Sequence, residues 1–342
     1  MNKAVVKEET FAALRKYRSQ DPALFGQAPI FSLPLWMEAW WKTLGGRYDL
    51  LLRSLWEDGE LLGIAPLMGR GSTAFLVGSA DVCDYLDFIV APGKTKRFFD
   101  ILLPYLAEKG YEELNLQAQR PDSAVFSGFF ESGADSEPLP DSNDSFCWRG
   151  KFRLENESAE ITLPGGWEEY LGLLNKKQRH EVKRKLRRLQ KEAGEYQYRL
   201  IEEADAIRRF VPQFLDIFRE NPDKDAFLTP GMEEYFLTLV GKMADEGMVR
   251  FGLLDVDGVT TAVVLCFDDG DTVYLYNSGY RCEYARLSAG LLSKILCLKE
   301  SIERGRRVFD FLKGPEVYKI RLGGRPIPIY NATLGVNLLT YC

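Results

Sequence analysis

The chain has 342 residues, of which 46% are hydrophobic and 27% are charged, and its formal net charge is −6. This length predicts two domains with sizeable cores, and the acidic balance argues against general binding of nucleic acid. Six cysteines without a paired spacing and a single histidine predict neither a disulfide framework nor a zinc site, so no metal is expected. A reducing, cytoplasmic location fits this cysteine usage best.

No apolar run approaches the roughly 20 residues that span a bilayer, so no membrane span is predicted. Residues 1–21 lack the apolar core of a signal peptide and predict a polar amphipathic helix. An aromatic-rich helix follows at 31–44, and its tryptophans recur at helical spacing, which favours a place in the core.

The rest of the first half predicts alternating strands and helices. Residues 48–67 form a hairpin that turns at Asp58-Gly59, two residues that tolerate a positive φ. A helix over 94–109 ends at Gly110. Further strands are expected at 74–77, 87–90 and 111–117.

Residues 131–145 are acidic and rich in turn formers, and they predict a linker or flexible loop. The sequence therefore predicts two domains, 1–150 and 151–342. After strands at 147–154 and 160–163, a helix carries nine lysines and arginines between Lys176 and Lys191. This face either stays solvated or binds a polyanion such as coenzyme A, a lipid-linked or nucleotide pyrophosphate, or tRNA.

The second half repeats the plan of the first. After two amphipathic helices at 203–219 and 232–246, a hairpin over 249–267 turns at Asp257-Gly258. The turns of the two hairpins are 199 positions apart, and the glycines that end the two helices, Gly110 and Gly305, are 195 apart. Nearly equal offsets indicate two copies of one structural unit.

The most informative stretch runs from residue 272 to 322. A strand over 272–278 is followed by a helix with Ser288 as its N-cap and Gly305 at its end, and a strand over 307–312 follows. The start of such a helix presents unpaired N–H groups at the positive end of a dipole, where a phosphate can bind. An ordinary βαβ unit would show the same pattern.

The succession YLYNSGY…YARLSAGLL…IERG…FDFLKGPEVYK resembles the acetyltransferase-like domain of the cellulose-biosynthesis (CelD/BcsL) group of bacteria. That group belongs to the GNAT superfamily and is related to the Fem-type peptidoglycan aminoacyltransferases. The similar part covers roughly residues 171–324. The resemblance implies an α/β fold, a mixed sheet with flanking helices, in two tandem GNAT-like domains, of which the first has no RLSAG turn and is expected to be degenerate.

The resemblance also implies site residues. The turn that holds the pyrophosphate of an acyl-coenzyme A would be formed by Arg286, Ser288, Ala289 and Gly290. Tyr318 would protonate the departing thiolate, and Lys319 would contact the acyl donor or a phosphate. The expected substrate-binding residues are Tyr276, Tyr280, Arg281, Asp310, Lys176, Arg179 and Arg184.

The expected function is an acyltransferase that moves an acyl group from a coenzyme A thioester to an amine on a sugar or cell-envelope polysaccharide precursor. The RLSAG turn has one glycine where the glycine-rich form of the superfamily has more, so a Fem-type transfer from aminoacyl-tRNA stays open. A non-catalytic protein that binds a nucleotide-linked glycan and regulates polysaccharide synthesis also stays open. The acceptor, the acyl chain and the oligomeric state are not determined by the sequence.

Overall fold

The computed structural model describes residues 3–26, 28–129 and 146–338. The chain divides into two compact units, Met1–Asn156 with Pro328–Cys342 and Glu157–Ile327. The sequence places the boundary at residue 150 and gives all later residues to the second domain. The structural division falls at residue 156 instead, and the C-terminal strand belongs to the first unit from Pro328 onward.

From residue 3 to 129 the elements in order are β1 (Ala4–Glu8), α1 (Phe11–Gln20), two short 3-10 helices (Pro22–Phe25 and Ile30–Ser32), α2 (Pro34–Leu44), β2 (Asp49–Glu57), β3 (Glu60–Arg70), β4 (Thr73–Leu76), β5 (Ile89–Val90), α3 (Thr95–Glu108), β6 (Glu113–Gln119) and α4 (Ala124–Phe129). From residue 146 to 338 they are β7 (Phe146–Thr162), α5 (Trp167–Leu173), α6 (Lys176–Glu192), β8 (Tyr196–Ile201), α7 (Ala204–Arg219), α8 (Pro222–Phe227), α9 (Pro230–Asp245), β9 (Val249–Val256), β10 (Val259–Asp268), β11 (Thr272–Tyr280), a 3-10 helix (Cys282–Leu287), α10 (Ala289–Glu303), β12 (Val308–Lys313), α11 (Val317–Arg321) and β13 (Arg325–Leu338).

The two units have matching strand arrangements, except that the last strand of the sheet follows the others along the chain in the first unit and precedes them in the second. In the first unit the sheet runs β1-β2-β3-β4-β6-β13, with β5 paired to β3. In the second it runs β8-β9-β10-β11-β12-β7. In each sheet all these neighbours are antiparallel except one central pair, β4 with β6 and β11 with β12, which is parallel and joined by a helix on the sheet face. The predicted α/β class, a mixed sheet with flanking helices, is confirmed.

The predicted internal repeat is visible in the backbone conformation. Asp58 and Asp257 both have φ of 50°, and Gly110 and Gly305 both have positive φ at the ends of α3 and α10. The structure adds a pair that the sequence does not reveal, Ala118 at 57° and Leu312 at 62°. A positive φ is uncommon for residues with a Cβ, and its recurrence in matching strands β6 and β12 marks the two units as copies of one fold.

The core of the second unit holds the site described below. The sheet face packs against the buried stripe of α10, formed by Leu292, Ile295, Leu298 and Ile302, and this stripe has helical spacing. In the first unit, α2 is buried along most of its length, and Trp36 packs edge-on against Phe31. Trp36 and Trp40 of this helix therefore lie in the core, as the sequence predicts, whereas Trp41 is partly exposed.

Two predictions of local structure are wrong. Residues 4–8 form a strand instead of the start of an amphipathic helix, because they pair with β2 from Ala4 opposite Glu57 to Glu8 opposite Arg53. The two short strands predicted at 147–154 and 160–163 are one continuous strand, β7. The predicted linker at 131–145 lies outside the described residues. Within residues 3–26, 28–129 and 146–338, no helix has the length and apolar character needed to cross a bilayer.

Candidate functional site

The turn between β11 and α10 leaves the start of a 15-residue helix open. Ser288 occupies the N-cap position in the left-handed conformation, with φ of 62°, and its side chain makes no capping hydrogen bond. Its carbonyl oxygen accepts the N–H groups of Leu291 and Leu292, both at 3.0 Å. Within the described part of the chain, the N–H groups of Ala289 and Gly290 have no acceptor. The start of α10 therefore offers two backbone donors and the positive end of a helix dipole.

A lysine of the basic helix α6 reaches this turn. The Lys185 Nζ donates a hydrogen bond to the Ser288 Oγ, and the Lys185 side chain is only 14% exposed. Its position explains this contact, since Lys185 follows the buried Val182 by three residues and precedes the buried Leu189 by four. Residues at this spacing share one face of a helix. The turn therefore combines backbone donors with a positively charged side chain.

The basic residues that the sequence singles out on α6 lie elsewhere. Lys176 and Arg184 are exposed, and Arg184 forms a two-pronged ion pair with Glu181, both distances being 2.8 Å. Arg179 donates to the Leu174 carbonyl oxygen at 3.5 Å. None of these three lines the cavity next to the turn. Of the residues that the sequence selects on α6, Lys176 and Arg184 thus face solvent, and Arg179 is partly buried at the start of the helix.

A cavity of about 260 Å³ opens at the start of α10. It is lined by Tyr280, Ala285, Ser288, Ala289, Gly290, Leu291, Lys294 and Tyr318. Five of the residues expected at the site therefore meet there: Tyr280, Ser288, Ala289, Gly290 and Tyr318. Gly290 is needed for this shape, because a Cβ at its position would lie 2.7 Å from the Cδ1 of Tyr280.

The central strands separate beside this cavity. β11 and β12 pair in parallel only from Thr272 opposite Val308 to Tyr274 opposite Asp310, while β11 continues to Tyr280. On its other side, β11 stays paired with β10 along nearly its whole length, from Val273 to Tyr280. A divergence of this kind leaves backbone groups on one edge of β11 available to a ligand that enters between the strands.

Tyr318 lies on α11 at the wall of the cavity. Its ring packs edge-on against Phe311 at 6.3 Å between centroids, and the Nζ of Lys294 lies 5.2 Å from the ring centroid. Burial, with a contribution from the Glu316 carboxylate, raises the pKa of the Tyr318 hydroxyl above its ordinary value. The hydroxyl therefore keeps its proton at neutral pH and can donate it.

The side chain of Lys319 is buried and bonded within the protein. Its side chain is 2% exposed, and its Nζ donates to the carbonyl oxygens of Leu312 at 2.9 Å, Lys313 at 2.7 Å and Gly314 at 3.2 Å. The Glu316 carboxylate lies 2.9 Å from the same nitrogen. These contacts occupy the N–H donors of the Lys319 ammonium and join α11 to the turn after β12. Lys319 thereby positions the neighbouring Tyr318. The geometry does not favour the expected contact of Lys319 with the acyl donor.

The other expected residues also make contacts within the protein. Asp310 is 2% exposed and accepts the Leu312 N–H at 2.7 Å, which supports the positive φ there. Tyr276 packs between Phe236 and Phe267. Arg281 donates to the Thr260 carbonyl oxygen and pairs with Glu220, both at 3.0 Å. Arg286 is exposed at the 3-10 helix before Ser288 and forms no ion pair within the described residues.

Lys294 is a residue of the cavity wall that the sequence reasoning missed. Its Nζ donates to the Gly290 carbonyl oxygen at 2.8 Å. Burial, followed by repulsion from the ammonium of Lys224, lowers the pKa of Lys294 to about 7. The sequence signal is a lysine inside an apolar stripe, since Lys294 lies three residues after Leu291 and four before Leu298.

These features lie in a segment that matches a family model. Residues 176–320 match the family model of the acetyltransferase (GNAT) domain. The matched segment begins at the first residue of α6 and ends within α11, so it includes Lys185, the Ser288 turn, Lys294 and Tyr318. A search of curated proteins found no sequence relative. The narrower resemblance to the cellulose-biosynthesis group stays a prediction.

Solved structures are similar in fold to nearly the whole chain. The chain is similar to FemX with a TM-score of 0.63 and 11% identity, covering 96% of each chain. A protein of unknown function from Bacteroides thetaiotaomicron matches with a TM-score of 0.57 and 11% identity, over 98% of this chain and 100% of that one. The C-terminal domain of a candidate lysylphosphatidylglycerol synthetase from Agrobacterium fabrum matches with a TM-score of 0.55 and 12% identity, over 95% of this chain and 92% of that one. At such identities the similarity shows the fold alone.

Proposed function

We propose that the second unit is an acyltransferase that moves an acyl group from a coenzyme A thioester to an amine, and that the amine belongs to a sugar or cell-envelope polysaccharide precursor. The observation that carries the proposal is the open start of α10. There the N–H groups of Ala289 and Gly290, free within the described residues, lie beside the cavity that Tyr318 also lines, and the Lys185 ammonium contacts the side chain of Ser288.

This arrangement suits a pyrophosphate. Backbone N–H groups at a helix start, the helix dipole and a lysine all attract phosphate oxygens. The left-handed Ser288 turns the chain so that the first N–H groups of α10 are not used within the protein. In this proposal Ser288, Ala289, Gly290 and Lys185 hold the pyrophosphate, and the exposed Arg286 is the nearest further cation along the chain.

The rest of the donor would extend into the gap between β11 and β12. Coenzyme A supplies an acyl group activated as a thioester, and the chain supplies position and proton transfer. β11 continues beyond Tyr274, where its pairing with β12 ends, and in this proposal its backbone aligns the thioester there. Tyr318, which keeps its proton at neutral pH, is placed to protonate the leaving thiolate.

The proposal is tested by titration calorimetry with acetyl-coenzyme A, comparing the wild type with Ser288→Asp. Aspartate tolerates the left-handed conformation, so the variant is expected to fold. Its carboxylate would pair with Lys185 and repel a pyrophosphate. Ser19→Asp makes the same change at an exposed position of α1 and is the control.

We expect micromolar binding to the wild type and to Ser19→Asp, and binding lost in Ser288→Asp. The absence of heat with acetyl-coenzyme A and with other short-chain thioesters would exclude the coenzyme A donor. The same titration with an analogue that lacks the acyl group shows whether the site holds the donor through its phosphates.

One observation favours a second candidate, Fem-type transfer from aminoacyl-tRNA. The solvent side of α6 carries a row of exposed cations, Lys176, Lys177, Lys183, Arg184 and Arg187. Such a row suits a long polyanion, and the fold is similar to that of FemX. This candidate predicts that the donor is a charged tRNA whose affinity falls steeply with salt, whereas binding of acetyl-coenzyme A is weak or absent.

A further inference from the structure

We propose that Lys294 is a proton carrier of the acyl-transfer reaction, and that its Nζ takes the proton that the acceptor amine loses when it attacks the thioester. This inference rests on the proposed function and goes beyond it, because that function assigns a proton donor to the leaving thiolate but no group to receive the proton of the amine.

Lys294 lies on the second turn of α10 and its side chain bends back toward the start of the helix. The Nζ donates to the Gly290 carbonyl oxygen at 2.8 Å and lies 5.2 Å from the centroid of the Tyr318 ring. The side chain lines the cavity together with Tyr318. Within the described residues Lys294 forms no ion pair with a carboxylate, so its amine meets the cavity without a counter-ion.

The charges around Lys294 favour a neutral amine. Lys224 on α8 is a second cation close enough to repel it, and the positive end of α10 acts in the same direction. Glu316, before α11, acts the other way, as do Cys266 on β10 and Cys297 on the same helix. Burial is the largest effect, and together these groups lower the pKa of Lys294 to about 7. Both protonation states are then populated near neutral pH, which is the condition for an efficient acid–base group.

Among the residues that the structure describes, Lys224 forms no ion pair with a carboxylate. Its Nζ donates to the Ser278 carbonyl oxygen, near the end of β11, and lies 4.8 Å from the centroid of the Phe218 ring. Burial lowers the pKa of Lys224 to about 8, although Glu316 opposes the shift. Lys224 does not line the cavity, so it acts on Lys294 through its charge and not as a second proton carrier.

The proton balance of the reaction is then complete. The amine nitrogen attacks the carbonyl carbon and the C–N bond forms, while the proton that leaves the nitrogen passes to the neutral Nζ of Lys294. The C–S bond breaks, and the thiolate takes the hydroxyl proton of Tyr318. The ammonium of Lys294 returns its proton to the Tyr318 oxygen, which restores both groups. No metal, oxidant or reductant is needed.

A different role for Lys294 would be to hold the phosphates as a fixed cation. The contacts favour the proton carrier, because the Nζ is directed to Tyr318 and Gly290, whereas the lysine that contacts the Ser288 side chain is Lys185. The two roles are separable by substitution. Lys294→Arg keeps a positive charge that cannot be removed near neutral pH, and Lys294→Met removes both charge and base.

The first experiment measures the protonation of Lys294 without any acceptor. The full-length protein is labelled with isotopically coded acetic anhydride between pH 5 and 11, and the extent of acetylation of each lysine is read by peptide mass spectrometry. Lys299, on the same helix and paired with Glu303, is the internal control. We expect Lys294 to become reactive with a midpoint near pH 7, well below Lys299, and free coenzyme A to protect it by about tenfold or more.

The second experiment compares Lys294→Met, Lys294→Arg and the control Lys299→Met. We expect all three to bind acetyl-coenzyme A within about threefold of the wild type. Thiol release from acetyl-coenzyme A, with water or an added amine as acceptor, should fall at least tenfold in both Lys294 variants, consistent with the usual contribution of a general base.

Three results would overturn the inference while leaving the proposed function intact: a midpoint of Lys294 equal to that of Lys299, failure of the anhydride to reach Lys294 at any pH, or full turnover by Lys294→Arg. Loss of affinity in Lys294→Met that Lys294→Arg restores would show a phosphate ligand instead. If neither the wild type nor any variant binds acetyl-coenzyme A, the proposed function is excluded. An acetylation midpoint of Lys294 near pH 7 would not restore it.

Discussion

The Nζ of Lys185 donates a hydrogen bond to the Oγ of Ser288, a residue 103 positions further along the chain. This contact brings the basic helix α6 to the start of α10. It also shows how a residue in the unusual left-handed conformation is held, since the side chain of Ser288 is engaged by Lys185 and does not cap its own helix.

Replacing Lys185 with methionine is expected to weaken the binding of acetyl-coenzyme A by about 10- to 100-fold, the typical effect of a lost hydrogen bond to a charged group. Calorimetry measures this directly. Lys183→Met is the matched control, because Lys183 is on the same helix, is exposed and lies 3.7 Å from Glu168. Equal affinities of the two variants would place the phosphates elsewhere.

The Tyr318→Phe variant is expected to bind acetyl-coenzyme A as the wild type does and to release thiol about 10²- to 10⁴-fold more slowly. The reason is that only the hydroxyl proton is lost, while the ring keeps its contacts with Phe311 and Lys294. Tyr196→Phe, at an exposed position of β8, controls for the substitution. A non-catalytic, regulatory protein would instead show ligand binding without turnover in either variant and in the wild type.

Lys294 is expected to reduce the free energy of unfolding in a pH-dependent way. Its folded pKa of about 7 lies below the ordinary value of 10.5, so the cost of burying its charge is fully present below pH 7 and disappears as the pH rises to 10.5. Lys294→Met should therefore stabilise the protein at pH 6, by about 1–3 kcal/mol, and less at pH 10.

Urea unfolding of the wild type, Lys294→Met and Lys299→Met at several pH values measures this effect. The difference in free energy of unfolding between the wild type and Lys294→Met should shrink between pH 7 and pH 10. For Lys299→Met, the difference from the wild type should stay the same at every pH. A constant difference at all pH values would mean that Lys294 titrates normally in the folded protein.

Gly290→Ala is expected to destabilise the second unit by about 1–3 kcal/mol, the usual cost of overpacking, and to weaken the binding of acetyl-coenzyme A. The added methyl group would lie 2.7 Å from the Cδ1 of Tyr280 and would push that ring into the cavity. Gly241→Ala is the matched control in the middle of α9. No atom lies within 4 Å of a Cβ added at Gly241, so this substitution should raise the free energy of unfolding by about 0.5–1 kcal/mol.

Local chemistry was enough to predict much of the fold from the sequence. The Asp-Gly pairs at 58–59 and 257–258 require a positive φ, and the structure has it at both. Gly110 and Gly305 end α3 and α10 for the same reason. The order of elements around the turn before α10 also followed from local patterns. These features depend on residues that are close in the sequence. The place of Tyr318 beside that turn was implied only by the resemblance to the acetyltransferase-like group.

Tertiary packing decided the rest, because it determines which face of an element is buried. Residues 4–8 form a strand only because β2, some 50 positions later, offers them an edge to pair with. On the basic helix, burial of Val182 and Leu189 turns Lys185 inward and leaves Lys176 and Arg184 in solvent. The sequence by itself predicted most of the helices and turns; the packed structure decided that Lys185 contacts Ser288 and that Lys294 lines the cavity, since a side chain's direction is set by what the opposite face of its helix buries.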